Sequence, residues 1–593
     1  MSLMNGRRHR ENTRSSPDWD AHVLVWGFWG LMLLSALALV ARFSNNVPIG
    51  DQWPLVPQLT GAKAVTMGWL WELYNGQHRL VLPKLIMLAS VRLTGGNFLP
   101  QLYLHVLALG GLAAAMIVTM RNIRGSLAYS DAFFPLVLLN LCQGNAFMNG
   151  SMINLLLATF FVGIFLLVIA GSRAPLTARR GMIGGTVLVL LPLCGGSGVV
   201  LTPFLASWLV LAAIARWRSP RPNGRRDGLL ALSLALLSLA IVACYLIGYE
   251  SPGQSHPSPR DTLKFGLLTL SLSLGQPVLL WPLSGGIVLG LLLLGATACV
   301  ANGYRRPRER LRAAGILLFL GGMGTLALLV GRGRSSAGFP YFMSTHYVTM
   351  MAPTLCGLYF LGDFYRGAVG RLVQYGLFSM VAMMFYANLE TGIGFVSSAH
   401  AETDKLLGDV RAGMPPIVIA GRASSNGMIG YKDVDAIDKW LNMLRRAGFG
   451  SFRALRTDPS FREVSFDAAP VDAKGMEWKG GVAQGSGRGS YISFPLGGSR
   501  LIYAITLHCE FLDLPQVTQG SLSLSWKSTA ADDFAPREQS DRVRISKVWK
   551  DDEPRRETLT FWINGSVSEF RVSSEFPEHT LKINSITLLV PVE

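Results

Sequence analysis

A polytopic α-helical membrane domain followed by an extracytoplasmic β-sandwich is the fold class this chain predicts, and three observations predict it. Half of the residues are hydrophobic and only 15% are charged, which does not suit a soluble globular chain of this length. Long apolar segments recur through the first two thirds, separated by short arginine-rich connections. From about Phe466 the apolar pattern changes to period two, the spacing of half-buried strands.

The formal charge of +17 excludes little by itself, but its distribution does. The arginines sit in short runs between apolar segments, as membrane topology signals do, so no nucleic-acid partner is expected. Of the six cysteines, Cys142, Cys194, Cys244, Cys299 and Cys356 lie in apolar segments and only Cys509 in the polar region. That pattern supplies neither a disulfide framework nor a zinc spacing.

Residues 1–21 form a tail whose Arg7, Arg8, Arg10 and Arg14 precede the apolar run Val23 to Ala41. The run is too long for the core of a signal peptide and has no small-x-small cleavage site, so it reads as an uncleaved first span. Further apolar segments fall near 99–120, 127–144, 152–171, 182–195, 198–216, 229–248, 283–302, 313–331, 346–364 and 372–390, making about eleven spans within a membrane domain of residues 22–390. The connections holding Arg121 to Arg124, Ser172 to Arg180, Arg216 to Arg226, Tyr304 to Arg312 and Arg366 to Arg371 carry most of the basic residues, which assigns them to the cytoplasm. The alternation holds only if Leu80 to Leu93, a short stretch with Lys84 and Arg92, lies in the outer interface instead of crossing. Thr262 to Gln276 reads as a second such element.

An odd number of spans from a cytoplasmic N-terminus puts everything after about residue 390 outside, in a bacterium the outer side of the inner (cytoplasmic) membrane. Residues 391–465 read as a helical connector, in which Asp433 to Ala447 places Val434, Ile437, Leu441 and Leu444 on one stripe. Residues 466–593 read as the β-sandwich, with alternating runs such as Leu501 to Leu507, Ser521 to Trp526, Thr558 to Trp562 and Ser585 to Val590. The glycines from Gly480 to Gly487 precede a strand instead of opening a helix, so they read as a flexible turn and not a phosphate loop.

Chemistry concentrates on the first outer loop, residues 43–98. Asp51 follows Gly50 and precedes Gln52 and Trp53, and Asn75-Gly76-Gln77-His78-Arg79 comes later in the same loop. A carboxylate there has the chemistry to take a proton from an acceptor hydroxyl. Glu72, in Trp69-Leu70-Trp71-Glu72, is a second acid. Later outer connections add Glu250, His256, Gln276, Arg332, Arg334, Tyr341, His346 and Tyr347. Arg332 and Arg334 break the positive-inside trend at the depth of a lipid phosphate, which arginine forks grip through paired hydrogen bonds. Trp53 offers an aromatic face to a sugar ring. No Gly-x-Ser-x-Gly elbow occurs on this side.

This layout resembles the membrane-embedded GT-C class of glycosyltransferases, which take sugars from polyprenyl-phosphate carriers, and an uncharacterised bacterial group of the same type. The resemblance rests on one span, then an outer loop opening with an acid at Asp51, then the His-containing turn at Asn75 to Arg79, the run Leu80 to Leu85 and the Gly95-Gly96-Asn97-Phe98 corner. It implies a GT-C-like membrane domain that moves a sugar from a polyprenyl-phosphate donor to a cell-envelope glycan or lipid acceptor. Asp51 would be catalytic; Arg332, Arg334 and His346 would hold the donor phosphate; Glu72, His78, Arg79, Trp53 and Tyr347 would line the substrate site. Gln52 stands where a second acid is often found, and Gln77-His78-Arg79 replaces the usual His-Pro-Pro, which leaves metal use open, a divalent cation being the one cofactor considered. The lipid bilayer, the donor and the acceptor are the expected partners. A lipid-linked-sugar transporter or flippase is the alternative, with an O-antigen-type polymerase or ligase a close chemical neighbour. The C-terminal sandwich resembles sugar-binding modules in topology class alone.

Overall fold

The computed structural model describes residues 19–74, 76–172, 176–219, 223–249, 257–275, 280–335, 346–364, 368–424, 429–457, 459–467, 469–479, 482–485, 489–512, 517–529, 534, 540–548, 556–574 and 580–592. The tail arginines, Asn75, Glu250, His256, Gln276 and Tyr341 lie outside the described residues. Two compact units divide the chain, Met1–Thr403 and Asp404–Glu593. The boundary falls inside the helix Phe385–Arg411, a little beyond the residue at which the apolar pattern fades.

Unit 1 is helical and apolar, as a membrane-embedded domain must be. Among the described residues seven helices are long and apolar enough to cross a bilayer: Trp19–Phe43, Leu99–Arg124, Gly150–Gly171, Gly196–Trp217, Gly224–Leu246, Leu283–Arg305 and Pro307–Arg334. Ala368–Met383 and Phe385–Arg411, bent by 42° at their junction, make an eighth if counted as one span. At a rise of about 1.5 Å per residue each of the seven exceeds the ~30 Å hydrocarbon thickness.

The remaining apolar segments of the sequence fold differently. Residues 127–144 do not form one helix; they run through Tyr129–Ala132, Phe133–Leu138, Leu141–Gln143 and Gly144–Met148 as separate turns. Backbone broken inside an apolar layer needs partners for its freed groups, and carboxamides supply them. Asn140 accepts from Cys142 N at 3.0 Å, Gln143 Nε2 donates to Val137 O at 2.9 Å and Leu138 O at 3.2 Å, and Gln101 Nε2 donates to Gly150 O. His105 Nδ1 bonds Ala146 O at 2.8 Å. Residues 182–195 become the helix Ala178–Leu190 and the turn Leu191–Cys194, broken near Pro192. The helix His346–Leu361 has 16 residues, roughly 24 Å, and is buried from Tyr347 onward. A helix apolar on every side is a core helix.

Hydrogen bonds sort the helix ends of unit 1 into two sets. At one end Arg124 pairs with Asp131 at 3.0 Å, Arg216 with Asp227 at 2.6 Å and Arg312 with Asp363 at 3.1 Å. Arg180 caps the carbonyl of Gly171, the last residue of its helical segment, and Tyr359 ties Asp131 and Gln374 into the same network. The opposite end holds the loop from Ser44 to Phe98. Leu99–Arg124 and Arg310–Arg334 each carry a residue of both sets, Gln101 with Arg124 and Arg334 with Arg312, so they run from one end to the other.

Unit 2 begins with the end of that helix, then Pro416–Ser424 and Val434–Arg446. Asp433 caps the latter, accepting from Ala436 N at 3.1 Å, and Ile437, Leu441 and Leu444 are buried, as the stripe predicts. The strands are β1 Phe461–Phe466, β2 Asp472–Lys474, β3 Met476–Lys479, β4 Val482–Gly485, β5 Ser490–Leu512, β6 Val517–Lys527, β7 Ser540–Val548, β8 Arg556–Ser574 and β9 Thr580–Pro591. All pair antiparallel in one sheet ordered β3-β4-β9-β5-β8-β6-β7, with β1 on β9 and β2 on β5. The expected turn at 480–487 contains strand β4.

Two strands are far longer than the short runs the sequence suggests: β5 has 23 residues and β8 has 19. Register shifts at Pro495/Arg500 and Ile502/Ala504 mark irregularities in their pairing. The first includes Gly497 at φ 67° and Gly498 at φ 150°, a backbone only glycine adopts without cost. Both halves feed one core, where Phe494 stacks on Phe570 at 5.3 Å and Ile505, Leu522, Phe561 and Leu588 are buried.

Candidate functional site

Asp51 stands in the turn Gly50–Leu55, where Gly50 at φ 53° lets the backbone pass the side chains of Asn149 and Ser151. Its neighbour Gln52 is buried, accepting from Ile49 N at 3.1 Å and reaching Gln101 Oε1 at 3.4 Å. The carboxamide in the position of a second acid therefore fastens the loop to the Leu99–Arg124 helix. Trp53 is fully buried. Its ring is enclosed by protein on every side.

Tyr74 joins this turn to the His-containing one. Its hydroxyl donates to the Asp51 carbonyl at 2.6 Å. Its backbone N donates to His78 O at 2.6 Å and its carbonyl accepts from Gln77 N at 3.0 Å and His78 N at 3.2 Å. Gly76, at φ 68°, closes the turn.

Arg79 is buried and its guanidinium is spent on main-chain carbonyls: Nε on Tyr245 O at 3.1 Å, Nη2 on Ile247 O at 2.7 Å and Nη1 on Trp71 O. Its backbone N donates to Tyr245 Oη at 3.1 Å. The side chain assigned to substrate pins the loop to the end of the Gly224–Leu246 helix instead. Glu72 is exposed and lies 3.8 Å from Lys84 Nζ, which is fully buried and donates to Trp69 O at 2.6 Å. Burial holds the Lys84 ammonium below the ordinary lysine range, with Glu72 opposing. The Val81–Leu93 helix thus keeps its lysine inside and shows Leu85 and Leu93 outside.

Residues distant in sequence converge on His78. Arg334 Nη2 donates to Gln77 Oε1 at 3.1 Å. The Arg334 charge acts on both His78 and His346, and the His346 ring lies 4.1 Å from that of the buried Tyr347. Burial, reinforced by Arg334, pushes His78 down to about 4, against a backbone hydrogen bond that raises it. The imidazole is therefore neutral at physiological pH. Its ring also abuts Gly196, where a Cβ would sit 3.2 Å from Cε1, next to Gly195 at φ 124°.

The structure thus brings together His78, Arg334, His346 and Tyr347, and links Asp51 to them through Tyr74. Arg332 stands apart, exposed on its helix. Two helical residues at 100° per step lie about 200° round from each other, so Arg332 and Arg334 face opposite ways. Tyr74, Gln77 and Lys84 carry structural bonds that no pattern of residue types announces. Among the described residues no three His, Cys, Asp or Glu side chains gather to hold a metal.

No family model matches this chain, and no curated protein matches it in sequence. Solved structures similar to part of it include a low-affinity xylan binding module, CBM86, from the gut symbiont Roseburia intestinalis, at 14% identity and a TM-score of 0.15, covering 22% of this chain and 93% of that one. Another is a family GH115 4-O-methyl-α-glucuronidase with specificity for decorated arabinogalactans, at 11% identity and a TM-score of 0.16, with 47% of this chain covered and 33% of that one.

Proposed function

We propose that this chain is a membrane glycosyltransferase of GT-C type. It moves a sugar from a polyprenyl-phosphate donor to a glycan or lipid acceptor at the outer face of a bacterial inner membrane. The observation that supports this reading is the meeting of Arg334, His78 and His346 beside a loop that also carries Asp51. In the reaction the acceptor oxygen bonds to the anomeric carbon as the bond from that carbon to the phosphate oxygen breaks. Asp51 takes the acceptor's proton, and the carrier phosphate leaves with the electron pair, its charge balanced by Arg334. A neutral imidazole at His78 donates a hydrogen bond to such a phosphate or accepts one from a sugar hydroxyl. The lipid tail stays in the bilayer, which makes the encounter of donor and site two-dimensional.

The broken backbone of 127–152, lined by buried carboxamides, favours a second reading, a transporter of lipid-linked sugars. Purified protein incubated with a panel of polyprenyl-phosphate monosaccharides separates the two. The transferase releases free polyprenyl phosphate, and Asp51→Asn lowers that release by about a thousandfold while expression is unchanged. Movement of the intact donor across a vesicle membrane without release favours the transporter and removes Asp51 from its role.

A further inference from the structure

The first outer loop contains a strut whose two ends belong to the two halves of the proposed site. Tyr74 is buried. Its hydroxyl holds the Asp51 carbonyl at 2.6 Å, while its main chain exchanges hydrogen bonds with His78 on both sides of the turn. The residue before His78 in that turn, Gln77, receives Arg334 at 3.1 Å. Beyond it Arg79 is fixed by carbonyls of residues 71, 245 and 247, so the His78 end cannot drift without breaking several bonds. The Asp51 end is held on its other flank by Gln52 and the buried Trp53. One phenol therefore spans from the main chain of the acid to the segment that touches the cation.

From this geometry we infer that Tyr74 is a positioning residue that sets the separation between Asp51 and the Arg334–His78 group, and so the alignment of acceptor and leaving phosphate. The inference rests on the glycosyl-transfer reading. In-line displacement needs the attacking oxygen, the anomeric carbon and the leaving oxygen in register, and small misplacements are costly. Tyr74 touches neither substrate in this account. The hydroxyl contributes to the chemical step and not to donor affinity, because the groups that grip the phosphate are anchored without it, by main-chain bonds of the turn and by Gln77 and Arg79.

The test is steady-state kinetics of the purified full-length protein with a polyprenyl-phosphate monosaccharide that the wild type consumes, following free polyprenyl phosphate. Tyr74→Phe keeps the ring and deletes the hydroxyl. It is expected to lower kcat by about tenfold to a hundredfold with KM for the donor unchanged within about twofold. Tyr74→His, which retains an N–H donor, recovers part of that loss. A merely structural residue would move KM, the thermal midpoint and kcat together. A full kcat in Tyr74→Phe, with Asp51→Asn inactive, overturns the strut and leaves the transferase reading in place. Absence of release by the wild type across the whole donor panel overturns that reading, and the strut falls with it. If Tyr74→Phe fails to accumulate in membranes, Tyr74→His carries the same test, and an unchanged thermal midpoint with an intermediate kcat supports the strut.

Discussion

The two ends of the helical unit use arginine in opposite ways. At one end Arg124, Arg216 and Arg312 each meet a carboxylate, at 3.0, 2.6 and 3.1 Å, and the pairs close the connections between helices. At the other end Arg79 is divided among three carbonyls, and Arg334 bonds a carboxamide beside two imidazoles. A guanidinium matched to a carboxylate is a structural clasp. One set against neutral groups among loop, turn and helix end projects its charge where an anionic substrate is proposed to bind.

That contrast can be broken at either end. The largest structural effect is expected at the clasp. Arg124→Gln leaves the buried Asp131 carboxylate without its bidentate partner, which costs about 3 to 5 kcal/mol, read as a large fall in the thermal midpoint and in the amount of protein recovered from membranes. Arg334→Gln should do the reverse, keeping the midpoint within a few degrees while lowering kcat/KM for a polyprenyl-phosphate sugar by about a hundredfold. Equal stability losses in the two variants would erase the distinction.

A pH series sharpens it. With its value depressed to about 4, His78 is neutral in the folded loop but takes up a proton in an unfolded one below about 6.5. The folded form of the loop is favoured fully above 6.5, and that advantage is lost as pH falls toward 4. Protease sensitivity of the 43–98 loop should therefore rise across that window, and His78→Asn should flatten the rise. The smallest effect belongs to Arg332→Gln, whose exposed side chain lies on the far side of its helix from Arg334. Transfer within about twofold of wild type is the expected result.

How much of this was legible in the sequence depends on whether the signal is local. The helix Val434–Arg446 was, because its cap at Asp433 and its stripe of Ile437, Leu441 and Leu444 lie within a few turns. The long spans such as Leu99–Arg124 were, because length and hydropathy suffice. Residues 127–144 were not: apolar content does not distinguish a continuous helix from short turns whose backbone is satisfied by Asn140 and Gln143. The β5 and β8 strands ran longer than their alternating patches because irregularities let one strand continue past the break in pattern. At the site, Asp51, His78, Arg334 and His346 carried chemical types that drew attention, yet their grouping depends on contacts between positions as far apart as 77 and 334. The fates of Trp53 and Arg79 were equally non-local, since burial and the carbonyls of residues 245 and 247 decide them. The opposed directions of Arg332 and Arg334 were within reach of the sequence, needing only the helical period.

The most direct trial of the account is to label the purified protein with a diazirine-bearing polyprenyl phosphate and map the adducts by mass spectrometry. Adducts on the peptides that contain Gln77 and Tyr347, suppressed by excess polyprenyl phosphate and reduced in Arg334→Gln, are the predicted result. Competable adducts confined to the end that carries Arg124 and Asp131 would contradict it.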